Sequence, residues 1–253
     1  MTTSFRAARE NEDEYLACIF YNAFLHVWDQ NWMQALTTPL PNKLIQLSDI
    51  PALSPVQRDR FSFHLAVIKI TRLLSGSVAV TILASTPANP DPKPSAAILW
   101  LPPHKRPSLL PLLLSGLLYI VIFRFGVTAT WHLYTFERDL EALSASLLSP
   151  LGYKKDDCGF VLLIGTDPQF RRKGYAAQLL QWQIKRHREE FPGVPVVLDT
   201  TTDQAQKVYE KIGFRYLGKR RVETGTDSGG IKLAKGAIEP EEAFEQRVLI
   251  LEE

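Results

Sequence analysis

In the first third of the chain, apolar residues recur at helical spacing. In NEDEYLACIFYNAFLHVWDQNWMQAL, the residues Leu16, Ile19, Phe20, Ala23, Phe24 and Val27 fall on one face, which predicts one or two amphipathic helices. Four prolines make TTPLPNKLIQLSDIPALSP a connector, with a short helix entering at Ser54-Pro55. RFSFHLAVIKI has mixed periodicity and reads as a helix. SVAVTILAS and SAAILWLPP read as the two strands of a hairpin around the proline-rich loop TPANPDPKP. FERDLEALSASLLSPLGY sets Leu140, Leu143, Leu147 and Leu148 in helical register and stops at Pro150 and Gly152.

The second half is more sharply patterned. GFVLLIGTD is apolar on both faces, as an interior strand should be, and Asp167-Pro168 ends it. GYAAQLLQWQIKRHREEFPG aligns Ala176, Leu179, Leu180, Ile184 and His187 on one stripe, with Gln178, Gln181, Lys185 and Arg188 outside it. VPVVLDTTT follows as a strand and DQAQKVYEKIGF as a short helix with Ala205, Val208, Tyr209 and Ile212 on one face. Asp203 or Thr202 supplies its amino cap and Gly213 its left-handed stop. FRYLGKRR and EQRVLILEE are the last strands, separated by a Gly-rich and polar stretch from Glu223 to Glu242. The order, α-rich then β, β, α, α, β, α, β, α, β, β, suggests a mixed α/β domain without internal repeats.

The most apolar run, LLPLLLSGLLYIVIF (Leu109 to Phe123), is shorter than the ~20 residues that span a bilayer, carries Pro111 and meets Arg124. A buried helix is the expectation, and stable membrane insertion is not expected. With 253 residues, 45% of them hydrophobic, the chain can bury a substantial core, and a net charge of +2 is too weak to imply a nucleic-acid partner. Two cysteines, Cys18 and Cys158, and an amino terminus with neither a cationic leader nor an apolar core point to reduced thiols and a cytoplasmic location. Oligomeric state is not legible.

Charge matters locally at DPQFRRKGYAAQLL, where three cations precede one glycine and a helix-like run. A dinucleotide fingerprint fails because only Gly174 stands where three spaced glycines are needed. A phosphate loop of the Walker type fails because Lys173 precedes its glycine and no Ser or Thr follows. A solvated charge run remains one reading. The other is anion binding at a helix amino terminus, whose first backbone N–H groups lack partners and carry the positive end of the dipole.

This turn resembles the acyl-CoA binding motif of the GNAT superfamily of N-acyltransferases: Arg or Gln, two residues, Gly, one residue, then Gly or Ala, here Arg171, Gly174 and Ala176. DQAQKVYEKIGF resembles the second family motif, matched at Tyr209, Gly213 and Phe214. AAILWLPP and the apolar run behind it are more loosely similar to the puromycin-acetyltransferase-like branch. The resemblance implies one domain over residues 1–253. Its α/β fold would have a mixed, partly splayed sheet flanked by helices, a helical insertion at about 102–150 between strands ending near Leu101 and starting near Gly159, and an acyl-CoA core at about 159–217.

The resemblance also implies a chemistry. Acetyl-CoA is the acyl donor, and its pantetheine lies along the splayed strand at Ile164, Gly165 and Thr166. The backbone amides from Arg171 through Arg172, Lys173, Gly174 and Tyr175 to Ala176 hold the pyrophosphate, with Arg172 or Lys173 adding charge near the ribose phosphate. Tyr209 protonates the departing thiolate after an amine attacks the thioester. Thr202 stands where many members carry asparagine, and it caps the helix or contacts the cofactor. No metal is expected. His104, His132, Glu137 and Asp199 are candidates for the general base by residue type alone. The aromatics Tyr119, Phe123, Phe125, Trp131, Tyr134 and Phe136 of the insertion suit an apolar pocket or simply the core. The acceptor implied is a small-molecule amine. A protein lysine or amino-terminal acceptor, or acyl-CoA binding without catalysis, are the alternatives.

Overall fold

The computed structural model describes residues 3–84, 92–234, 237 and 244–252. The proline-rich loop expected between the hairpin strands, and much of the polar stretch before the last strand, lie outside them. Seven strands form one sheet in the order β1-β2-β3-β4-β5-β7-β6: β1 (Thr3–Ala7), β2 (Ser77–Leu83), β3 (Pro94–Leu101), β4 (Gly159–Thr166), β5 (Val196–Thr200), β6 (Arg215–Val222) and β7 (Phe244–Leu251). Every pairing is antiparallel except β4 with β5. The expected fold class is the one observed, with one added strand. TSFRA, at β1, is too short and too polar for its periodicity to show, and it is held as an edge strand by β2.

Three apolar layers cover the sheet. On one face, α1 (Asp13–Ala23) and α3 (Pro55–Leu73) pack Leu16, Phe20, Ile68 and their neighbours against Val80, Ala97 and Leu99. On the other face, α7 (Tyr175–Glu190) packs Leu179, Leu180 and Ile184 against Ile98, Trp100 and Val161, and α8 (Asp203–Ile212) adds the half-buried Tyr209 and Ile212. Across β5 and β7, α2 (Trp28–Met33) and α6 (Val127–Leu148) bring Trp28, Trp32, Phe136 and Leu140 over Val197, Val248 and Ile250. The segment of mixed periodicity is the middle of α3. Its start is fixed by Pro55 in the first turn and a reciprocal Ser54–Gln57 capping box.

The expectation of a buried helix at 109–123 is overturned. Ser115–Gly116 breaks the run into α4 (Leu109–Leu114) and α5 (Leu117–Tyr119), with Gly116 left-handed at φ 77°, and a π-helical turn continues over Ile120–Phe125. Leu112, Leu117, Ile120 and Val121 dock toward the body, while Leu109, Leu110, Leu113, Leu114 and Phe123 face solvent. Of the insertion's aromatics only Phe136 is buried; Tyr119, Phe123, Trp131 and Tyr134 line neither a pocket nor the core. Hydrophobic composition records what exposure costs, not whether a covering surface exists. No helix among the described residues is long and apolar enough to cross a membrane.

α2 is pinned from outside by a loop after β6. Asn31 Nδ2 donates to the Gly229 carbonyl at 2.8 Å, and the left-handed Gly230 (φ 77°) lies so close to Trp28 that a Cβ there would collide with the Trp28 carbonyl. Gly230→Ala combines backbone strain with that collision, so it should destabilise the protein by about 2–4 kcal/mol. A lowered midpoint in a circular-dichroism melt checks this, and an unchanged midpoint refutes the close contact.

Candidate active site

β4 and β5 are paired only at Gly159 with Val196, Phe160 with Val197 and Val161 with Leu198. Beyond Val161 the strands part, while β4 stays bonded to β3 as far as Thr166. The β5-facing edge of Leu162 to Thr166 therefore carries backbone polar groups that no strand satisfies. A register shift opposite Leu99 and Trp100 leaves Leu162 as an extra residue, so Leu162 and Leu163 both pack toward the α1–α3 layer. Ile164 pairs with Ile98, Gly165 with Ala97 and Thr166 with Ala96. Gly165 is also a packing glycine: a Cβ there would stand 3.2 Å from both the Ala23 Cβ and the Phe20 ring.

After β4 the chain turns sharply. Asp167 accepts from the Gln169 amide at 3.0 Å and from the Tyr15 hydroxyl at 3.2 Å. Arg172 is left-handed at φ 63° and Gly174 at φ 77°. The first helical bond of α7 is Gln178 N–H to the Gly174 carbonyl, at 3.0 Å, so the amides of Tyr175, Ala176 and Ala177 come before any intrahelical partner. Gly174 is open to approach.

The cations around the glycine divide their work. Arg171 turns inward and donates to the carbonyls of Asn22 (3.1 Å) and Ala23 (3.5 Å) at the end of α1. The Lys173 ammonium rests 5.4 Å from the Phe170 ring centroid, and Arg172 is exposed. Arg171 is thus a brace between turn and helix, a role its motif position did not reveal.

On the α2–α6 side of the parted strands stand three carboxylates, Asp29, Glu137 and Asp199. Each keeps access to solvent yet is walled by protein, as groups in a cleft are. Enclosure pushes Glu137 up to about 7, aided by Asp199 and Glu141 and opposed by Lys155. It pushes Asp29 up to about 6, aided by Asp199 and opposed by hydrogen bonds from the Gln30 amide (2.7 Å) and the Thr201 hydroxyl (3.2 Å). Asp199 is raised by enclosure too. Only Lys155, held 2.6 Å from Glu141, offsets this local negative charge closely.

Tyr209 stands on α8, its ring edge-on to Phe214 at 6.0 Å, and burial together with Asp199 raises its hydroxyl well above the ordinary phenol value. It stays protonated at every physiological pH, which suits a proton donor. Thr202 spends its hydroxyl on the Ala205 amide (3.3 Å), which settles the cap between it and Asp203. Two of the base candidates lie elsewhere. His104 is exposed, 3.6 Å from Asp157, and His132 stacks on Trp32 and bonds the Trp32 carbonyl. Asp29 was not singled out in the sequence, though a carboxylate between Trp28 and Trp32 on an aromatic helix was a signal. Among the described residues, no group of three or more His, Cys, Asp or Glu is placed to hold a metal ion.

Comparison with known proteins agrees with this architecture. Residues 127–214 match the model of the acetyltransferase (GNAT) family. The polyamine N-acetyltransferase of Drosophila melanogaster, an enzyme that forms N-acetylagmatine, superposes with a TM-score of 0.55 at 16% identity, over 99% of this chain and 100% of that one. This chain has the GNAT acetyltransferase fold. A mosquito arylalkylamine N-acetyltransferase-like protein follows with a TM-score of 0.51 at 17% identity, covering 99% and 100% of the two chains. The C-terminal condensation domain of Ebony, in complex with beta-alanyl-dopamine, gives 0.57 at 14% identity, covering 100% and 99%. No curated protein matches by sequence.

The raised carboxyl of Glu137 has a consequence for stability. Its folded value lies above its ordinary 4.5, so the native state holds the proton more tightly than the unfolded chain does. The contribution is complete below about 4.5 and is lost as pH rises to about 7. Relative to Glu137→Gln, the unmodified protein should therefore lose stability across that window and then level off. Parallel melts of the two proteins against pH check this, and parallel curves would count against the enclosure of Glu137.

Proposed function

We propose that the protein is an acetyl-CoA-dependent N-acetyltransferase acting on a small-molecule amine. The observation that carries this reading is the set Asp29, Glu137 and Asp199 on one side of the parted strands, with Tyr209 on the other. An alkyl amine arrives as an ammonium ion, and a cleft with excess negative charge attracts it. Glu137, whose carboxyl titrates near neutrality, takes its proton. The freed nitrogen lone pair attacks the thioester carbonyl, the C–N bond forms and the C–S bond breaks. Tyr209 supplies a proton to the leaving sulfur.

The donor fits the other half of the site. The open edge of β4 at Ile164, Gly165 and Thr166 suits the amides of pantetheine as an added strand. The amides from Arg171 to Ala176, with Gly174 leaving room, suit the pyrophosphate, and the exposed Arg172 and the Lys173 ammonium lie at its border. Thr202 acts here as the cap that orients α8, not as a direct cofactor contact. The strand ending in Trp100-Leu101 before two prolines supports the puromycin-acetyltransferase-like branch, and two buried free thiols support a cytoplasmic location.

Thiol release from acetyl-CoA against pooled amines, with mass detection of the acetylated product, tests the function. Transfer to no amine would remove it in favour of acyl-CoA binding alone. Tyr209→Phe should lower kcat about 100-fold while acetyl-CoA affinity stays the same. Unchanged turnover would remove Tyr209 as the acid. Gly174→Glu should abolish acetyl-CoA binding in calorimetry by bulk and like charge. In Glu137→Gln, the acidic limb of the kcat/KM profile should move away from about 7.

A further inference from the structure

Ten of the fifteen large apolar side chains exposed among the described residues lie between positions 109 and 134. Leu109, Leu110 and Leu114 are each about two-thirds exposed, Phe123 is 71% exposed and Trp131 60%. The segment is docked, not frayed. Leu112 and Leu117 pack on Ile70, Leu74 and Leu101, Arg124 pairs with Asp59 at 2.6 Å, and the Phe125 ring lies 5.6 Å from Phe63. A fixed apolar surface of this extent marks a contact site.

Charge narrows the occupant. From Lys105 to Phe136 the sequence has no carboxylate, and its charged residues are Lys105, Arg106 and Arg124. Lys105 is exposed and makes no ion pair. The same holds for Lys69 on α3, which stands one turn from the exposed Leu73. Arg106 is folded onto the Cys158 carbonyl at 3.0 Å and faces Asp156 at 3.5 Å, so it adds less. A two-fold dimer through this face would set Lys105 and Arg124 against their own copies with no carboxylate in the face to pair them. An anionic lipid surface supplies the missing charge. It also takes leucine and phenylalanine into its acyl boundary and holds Trp131 and Tyr134 at headgroup level.

We propose that residues 109–134 dock the protein peripherally on an anionic membrane surface, entering its interfacial layer without crossing it. α6 then joins that surface to the cleft, because Tyr134 lies on its outer side and Glu137 one turn further along.

The test is flotation of the full chain with vesicles of phosphatidylcholine alone or with about one-third phosphatidylserine, at low and high salt. A double variant, Leu113→Glu with Phe123→Glu, is compared after a melt confirms that it folds. The expected result is co-flotation with the phosphatidylserine vesicles, weakened by salt and reduced at least about 10-fold in the variant. The proposal is overturned if the unmodified chain stays soluble with both vesicles, or if the folded variant binds equally well. It is also overturned if light scattering finds a dimer that the variant splits, since the face then belongs to a second copy. None of these readouts depends on acetyl transfer.

Discussion

The parting of β4 from β5 after three residue pairs is the constraint on which the rest of the molecule depends. Parallel strands side by side would satisfy each other's backbone groups; here β4 keeps only β3, and one edge of its last five residues is left for something else. The gap also divides the chemistry. α7 and α8 close it on one side with the Gly174 turn and Tyr209, and α2 and α6 close it on the other with Asp29 and Glu137. Asp199, near the end of β5, acts electrostatically on Tyr209, Asp29 and Glu137 alike.

The two halves are mechanically joined. Arg171, at the start of the basic turn, holds the last carbonyls of α1, and the chain runs from there within a few residues into α2 and Asp29. α2 is held again by Asn31 and Gly230 against the loop after β6, and Asp29 by Thr201 at the end of β5. The buried Arg60 adds a third hold, donating to Gln34 and Asn31 side chains and to the Gln30 carbonyl. A short helix of six residues has little stability of its own, so these long-range contacts fix its carboxylate.

What could be read from the sequence follows from this division. The turn at Gly174, the cap at Thr202 and the stop at Gly213 are local chemistry, each set by a few adjacent residues, and the structure has them where the pattern put them. Glu137 and Asp199 were visible only as residue types, because their raised carboxyls arise from enclosure by α2, α6 and β5 together. Asp29 escaped because its importance depends on Thr201, 172 residues away. The apolar run misled for a related reason: burial needs a partner surface, and α3 offers one only to its inner side chains.

The extra residue at Leu162 makes this strand intolerant of length change. Removing either Leu162 or Leu163 would mend the ladder with β3, since a bulge is one residue too many. Everything beyond would then be turned over relative to the layer that shaped it. Ile164 would meet the α1 layer, and Gly165, the one position where α1 comes too close for a side chain, would face α7. In descendants of this chain, β4 can change its side chains far more readily than its count.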